Sequence, residues 1–412
     1  MSKNILFISY DGMTDPLGQS QVIPYLIGLT RYGYTFTILS CDKPDRFKLH
    51  KDYVQKIIDP YPIKWVSIPY HKYPPVLSSW YDYRMLRKTA VALHKLQPFN
   101  LVHTRAGLPA LVGYWLKKHL GIKMLNDIRG FWADERIDSG IWSLKNPVYK
   151  YIYRYFKKME DNFISTADYN TCLTYAAQKE IHNWKHLPNQ PVPLDVIPCC
   201  ADMDLFDPQK ITQPLLEQLK KELGIKDDDI IVSYLGSIGG IYMTEEMIRF
   251  CKLLNECIPK TKFLFISPSL HEAIVAAAEK YNLSADKLVV KFAKRHQVPL
   301  LLSLSSYAVF FMKPCYSKMA TSPTKHGEIM AMGIPVITNS GVGDVAEIVE
   351  KYHSGYIIHD FTDKSFKEVV QKILQSNSFD KDAIRNGGKD YYALETAVER
   401  YKNVYQKIFN KA

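Results

Sequence analysis

The stretch Ser322-Pro323-Thr324-Lys325-His326-Gly327-Glu328-Ile329-Met330-Ala331-Met332-Gly333-Ile334-Pro335-Val336-Ile337 reads as a loop, a short helix, a glycine stop and a buried strand. A helix of this kind leading into an apolar strand is the building unit of a parallel α/β sheet. The free amides at its start and the helix dipole favour anions, and Lys325 adds a full positive charge, which suits a phosphate. Glu328 lies one turn further on, where it could accept from a ribose diol or could simply favour the positive end of the helix.

The same alternation extends through the chain. Before this stretch, β-rich runs are predicted at Ile230–Leu235, Phe263–Ile266, Leu288–Val290 and Tyr307–Phe311, with Pro335–Thr338 and Tyr356–Ile358 completing the half. Helices are predicted around Thr244–Cys257, Leu270–Tyr281 and Gly327–Met332. The first half has its own set at Ile5–Tyr10, Phe36–Ser40, Trp65–Pro69, Leu101–Thr104, Met124–Asp127, Thr171–Thr174 and Val196–Ile197. Between them run helical faces such as Val22, Tyr25, Leu26, Leu29 and Leu86, Ala90, Leu93, Leu96. The halves share architecture without sharing sequence. The expectation is two doubly wound domains, 1–205 and 206–390, with the terminal segment 391–412 read as one long helix or two short ones. In such sheets ligands bind beyond the carboxyl ends of the strands, and two of them imply a cleft between the halves.

Bulk properties fit a globular chain of two domains: 412 residues, 47% apolar and 13% aromatic. Pro299–Met312 is the longest apolar stretch, and serines break it. Met1-Ser2-Lys3-Asn4 leads straight into a strand-like run, which predicts a cytoplasmic protein. The seven cysteines form no C-x-x-C pair, so neither a zinc site nor a disulfide framework is expected, and Cys199-Cys200 is read as buried structure. Residues 1–200 hold 26 Lys+Arg against 16 Asp+Glu, whereas the rest hold 27 against 26. The basic excess of the first half points to an anionic partner such as a membrane surface or lipid phosphate, or to a surface kept for solubility.

After the first strand, Asp11–Gln21 is a glycine-bearing loop opening onto a helix, where Gly18 permits close backbone approach and Gln19 and Ser20 add donors. Neither a G-x-G-x-x-G fingerprint nor a Walker loop occurs. Asp202-Met203-Asp204 has a D-x-D pattern but lies in the connection between the halves, where structural roles are expected. Trp142–Phe163 is dense in Tyr, Lys and Arg: an ordinary helix with its rings inward, or a face for membrane or acceptor. No nucleic-acid motif accompanies it.

The 322–337 segment resembles the donor-binding signature of family 4 retaining glycosyltransferases of the GT-B fold, S-P-x-K-x-x-E-x-x-A-x-G-x-P-V-I. Gly33–Ile38, Leu101–Arg105, Asp127–Glu135 and Val196–Phe206 resemble further segments of that family in the same order. The resemblance implies two Rossmann-like domains facing across a cleft and a hexose or N-acetylhexosamine-type transfer from a nucleotide diphosphate sugar, with retention. It implies neither metal nor cofactor. Phosphate would be met by Lys325, by Gly18 and Gln19, and by Ser237, Ile238 and Gly239, with Lys294 or Arg295 in support; Thr324 and Gly327 complete the donor helix. Glu328 is assigned the ribose, Arg105 and Arg129 the acceptor or donor groups, and Asp127 a polar contact with the sugar. The acceptor is expected to be a carbohydrate or a lipid-linked precursor, taken at the cytoplasmic face of a membrane. Two departures stand out. Ala320 replaces the usual first glutamate, and the loop Gly236–Tyr242 lacks the family's cations. An epimerase of the same architecture and, because of Ala320, a catalytically silent partner subunit are competing readings.

Overall fold

Runs such as Ile5-Leu6-Phe7-Ile8 are apolar at successive positions, so both faces of the strand must be covered, as in a sheet flanked by helices. The computed structural model describes residues 3–268, 271–375 and 378–410 and contains two such sheets. Met1, Ser2, Lys411, Ala412 and Leu270, the first residue of an expected helix, lie outside the described residues. The chain forms two compact units, Met1–Pro198 with Leu394–Ala412, and Cys199–Ala393. Residues 199–205 thus belong with the second unit.

In the first unit, β1 (Lys3–Ser9), β2 (Tyr34–Asp42), β3 (Ile63–Pro69), β4 (Leu101–Arg105), β5 (Lys123–Ile128), β6 (Tyr169–Cys172) and β7 (Leu194–Val196) are all parallel. Their order is β3-β2-β1-β4-β5-β6-β7, so the winding reverses between β1 and β4. The helical face Val22, Tyr25, Leu26, Leu29 is buried, as its period demands. The second predicted face is only half right. Leu86 and Ala90 are buried, but Leu96, last in the helix Leu77–Leu96, is 84% exposed because the helix ends there.

The terminal segment is one long helix, Leu394–Asn410, entered from the last two residues of the helix before it. Lys381–Tyr392 ends at Ala393, whose extended backbone turns the chain, and Leu394–Asn410 then packs within the first unit. Gly28 makes that packing possible: a Cβ there would sit 2.5 Å from Val398 Cγ2. Tyr401 and Tyr405 stand edge-on to Tyr25 and Tyr34, with centroids 5.7 and 5.0 Å apart.

In the second unit, β8 (Ile230–Leu235), β9 (Thr261–Ile266), β10 (Leu288–Lys291), β11 (Tyr307–Phe310), β12 (Val336–Asn339) and β13 (Gly355–Ile358) form a parallel sheet in the order β10-β9-β8-β11-β12-β13. The winding reverses between β8 and β11. The helix before β12 begins at Thr324, earlier than the predicted Gly327, so Lys325 lies inside its first turn. Among the described residues no helix is long and apolar enough to cross a membrane.

Candidate functional site

Beyond the carboxyl end of β8, at the reversal point, Gly236 takes φ +127° and starts a loop in which Gly239 and Gly240 also have positive φ. Nothing stands within 4 Å of where side chains on Gly239 and Gly240 would begin, so these two leave their backbone open. Gly236 does the opposite: a Cβ there would lie 2.6 Å from Lys325 Nζ. The loop is therefore shaped around the lysine. Ser237 is exposed, whereas Ile238 buries its side chain in the core and can offer only backbone.

Lys325 is buried against aromatic rings. Its Nζ donates to Tyr234 Oη at 3.1 Å and lies 4.4 Å from the Tyr234 centroid and 3.8 Å from that of Tyr242. The Tyr234 hydroxyl donates in turn to the Ser237 carbonyl. Burial strips water from the ammonium and pulls its pKa down to about 7, although Glu328 pushes it back up. Glu328 is also buried, and its carboxylate accepts from Arg295 Nη1 at 2.8 Å. Burial raises its pKa, with the Arg295 charge and then Lys325 opposing. Two opposite charges thus share one buried helix turn, the acid with a strong partner and the lysine with a hydroxyl and two rings.

Of the other donor-side candidates, Arg295 joins this group through Glu328, and its guanidinium covers the Phe206 ring at 5.5 Å. Lys294 is exposed, with its backbone N–H on Gln297. Thr324 opens the helix, half-buried. Gly327 faces the Tyr392 ring, 2.9 Å from where its Cβ would be, so it is glycine for packing and offers the donor no surface. Ala320 is buried. His326 has its Nδ1 3.0 Å from Tyr392 Oη, and burial holds its pKa at about 3, so it stays neutral. Tyr234 and Tyr242 were missed by sequence reasoning; the only hint was two tyrosines bracketing a glycine loop that lacks cations.

In the first unit the expected loop at Gly18 is already helical: the helix Pro16–Gln21 includes it, and a Cβ would meet Gly12 O at 2.3 Å. Gly18 is therefore required by the fold of its own loop. Gln19 donates to Thr14 O. Arg105, at the end of β4, binds Asp11 Oδ2 at 3.3 Å and Gln21 O at 3.4 Å. Asp127 does not reach a surface where a sugar could meet it. Only 2% exposed, it accepts from Thr171 Oγ1 at 3.0 Å and Tyr401 Oη at 3.2 Å, and Arg129 Nη1 lies 3.8 Å away. Burial would raise its pKa, but Arg129, His103 and Arg105 more than offset that and hold it at about 2. This carboxylate anchors the terminal helix. Arg129 lies beside it, half-buried, with its side chain 8% exposed.

The other sequence candidates take structural places. Asp202 accepts from the Asp204 and Leu205 amides, and Cys199 and Cys200 are buried. The Tyr- and Lys-rich segment is the helix Pro147–Thr166 with both characters. Trp142 stacks on Tyr149 and Phe156 packs on Trp132, whereas Val148, Tyr151 and Tyr155 are exposed. Among the described residues no group of three or more His, Cys, Asp or Glu comes together as a metal site.

Residues 217–390 match the family described as glycosyl transferases group 1. Spore coat protein SA of Bacillus subtilis (strain 168) is 24% identical over 208 residues, covering 46% of this chain; the match spans about half (52%) of that relative's length. Among solved structures, sucrose-phosphate synthase from Thermosynechococcus elongatus superposes with a TM-score of 0.73 at 16% identity, covering 100% of both chains. Alr3699/HepE from Anabaena, in complex with UDP-glucose, gives 0.70 at 11% identity over 98% of this chain and 99% of its own. The two parallel-sheet units are thus a GT-B fold, and the match to glycosyl transferases group 1 falls within the second unit.

Proposed function

We propose that the chain transfers a hexose or N-acetylhexosamine-type sugar from a nucleotide diphosphate donor to a carbohydrate or lipid-linked acceptor, with retention and without a metal ion. The observation that carries this is the Lys325–Glu328 turn with Lys325 Nζ against both ends of the Gly236–Tyr242 loop, at the point where the second sheet reverses. As the glycosidic bond to phosphate breaks, negative charge grows on the departing diphosphate. Lys325 and the loop amides are fixed donors for that charge, and fixed donors in a dry site lower a barrier more than mobile water does. Glu328, buried and oriented by Arg295, can accept from vicinal hydroxyls of a ribose. Support for a nucleotide-sugar donor comes from the family match and from the likeness to a structure holding UDP-glucose.

The acceptor side rests on charge. The basic excess of residues 1–200 and the exposed Val148, Tyr151 and Tyr155 among lysines favour a peripheral site on an anionic membrane at its cytoplasmic face. Flotation with phosphatidylglycerol vesicles checks this; binding lost at high salt is expected, and no binding at low salt refutes it. The donor is tested by a thermal-shift panel of UDP-, GDP-, ADP- and TDP-sugars with Lys325→Ala and Glu328→Ala. One nucleotide should stabilise the parent and neither variant. Equal responses in all three proteins would remove the assignment. Transfer should survive EDTA; loss restored by magnesium would overturn the metal-independent reading.

A further inference from the structure

In the first unit, just after the carboxyl ends of β1 and β3, a buried carboxylate holds an imidazole whose ring is partly exposed. Asp82, in the helix Leu77–Leu96, is fully buried yet carries a carboxylate. Burying a carboxylate is costly unless it is well hydrogen-bonded, and this one is. Tyr10, just after β1, donates its hydroxyl to Oδ2 at 2.8 Å, the His71 backbone N–H reaches the same oxygen at 3.2 Å, and His71 Nδ1 lies 2.6 Å from Oδ1. An ionised carboxylate only accepts, so Nδ1 carries the ring proton, and in the neutral ring Nε2 is left as an acceptor. The His71 side chain is 42% exposed, and Nε2 has no hydrogen-bond partner among the described residues.

The surroundings are aromatic and open. The Tyr81 ring stands perpendicular to the imidazole with centroids 5.0 Å apart and is half exposed. Trp80, next to Tyr81 in sequence, is 55% exposed with the Arg84 guanidinium 4.8 Å from its ring centroid, and Tyr73, two residues after His71, is 71% exposed with Lys72 Nζ 5.2 Å from its ring centroid. Rings in water beside a fixed acceptor suit a pyranose, whose C–H faces lie against aromatic surfaces while its edge hydroxyls donate. A lipid tail would use the rings and leave the imidazole idle. Strand carboxyl ends are also where parallel sheets of this kind bind ligands.

We infer that His71, oriented by Asp82 and Tyr10, accepts a hydrogen bond from a hydroxyl of a saccharide acceptor that rests on Trp80 and Tyr81. This deepens the proposed transferase reading and rests on it for the word acceptor. If Asp82 served only to tie the loop after β3 to the helix, the outward face of the imidazole would have no task.

The test uses the full chain on an array of mono- and oligosaccharides, comparing the parent with His71→Gln and Trp80→Ala. His71→Gln changes a half-exposed side chain and leaves Asp82 its Tyr10 and backbone donors, so folding is expected to persist; circular dichroism checks it. The parent should retain a set of saccharides, and each variant should bind them roughly tenfold more weakly. In parent protein carrying ¹³C-labelled histidine, the resonance missing from His71→Gln should move when a retained saccharide is added. No retained saccharide, or equal retention by His71→Gln, overturns the inference. Thermal shift with UDP on the same preparations reads the second unit separately. A UDP response without saccharide retention sinks this site and spares the transferase reading. His71-dependent retention without any nucleotide response supports the site and sinks the transferase.

Discussion

Raising the pH should weaken binding of the donor, because the lysine proposed to hold its diphosphate is poised to lose its proton. Burial puts the pKa of Lys325 at about 7. A diphosphate beside the ammonium favours the charged form and raises that pKa in the complex. Binding above neutrality must then take up a proton, so affinity is full below the lower pKa and declines as pH rises past it. Between about pH 6 and about pH 8 the protonated fraction of the unliganded site falls from roughly nine-tenths to roughly one-tenth, a loss of about tenfold, or ~1.4 kcal/mol. Isothermal titration with UDP-glucose reads this directly, since its phosphodiesters do not titrate in that range. The groups facing Lys325 are Glu328 and, through it, Arg295, with Tyr234 and Tyr242; His326 next in sequence stays neutral. Lys325→Met isolates the lysine: it should bind weakly and flatten the profile. Parallel profiles in parent and variant, or tighter binding at high pH, would refute the reasoning.

The same buried cation should lower stability. The folded pKa lies below the unfolded value, so the unfolded chain binds more protons between about pH 7 and about pH 10, and stability rises with pH across that window. At neutral pH, Lys325→Met should therefore raise the melting temperature of the second unit by several degrees, on the order of 1–4 kcal/mol, in scanning calorimetry. Gly236→Ala places a Cβ 2.6 Å from Lys325 Nζ at φ +127°; it should cost about 1–3 kcal/mol of stability and weaken donor binding at least roughly tenfold. Asp127→Asn removes a charge held by Arg129 and should destabilise the first unit by about 3 kcal/mol at neutral pH. Because the folded pKa of Asp127 is about 2, its stabilisation is complete above about pH 4 and disappears as pH falls through about 2, so acid unfolding of the variant should be less steep there.

The architecture was legible because it is periodic. Each predicted β run overlaps a strand, although Thr171–Thr174 and Val196–Ile197 are displaced by two residues from theirs, and Gly333 and Val336 mark the end of one helix and the start of the next strand as their chemistry suggests. The placing of Lys325 and Glu328 one turn apart at a helix start was legible because both are local facts. What was not legible depends on partners distant in sequence. Tyr401 is 274 residues from Asp127, and that hydrogen bond makes the aspartate an anchor beneath a helix. The glycines misled for a related reason: Gly18 and Gly327 are small because Gly12 and Tyr392 press on them, whereas Gly239 and Gly240 leave their backbone open. The Tyr234–Tyr242 slot and the His71–Asp82 pair carry no spacing that periodicity could detect.

The central claim is that one buried helix turn of the second unit grips the donor. A crystal structure of the chain soaked with UDP-glucose tests it most directly. The account predicts diphosphate oxygens within hydrogen-bonding distance of Lys325 Nζ and the Gly239–Gly240 amides, with ribose hydroxyls on Glu328. Nucleotide bound elsewhere, or a diphosphate held through a magnesium ion with Lys325 still on Tyr234, would contradict it.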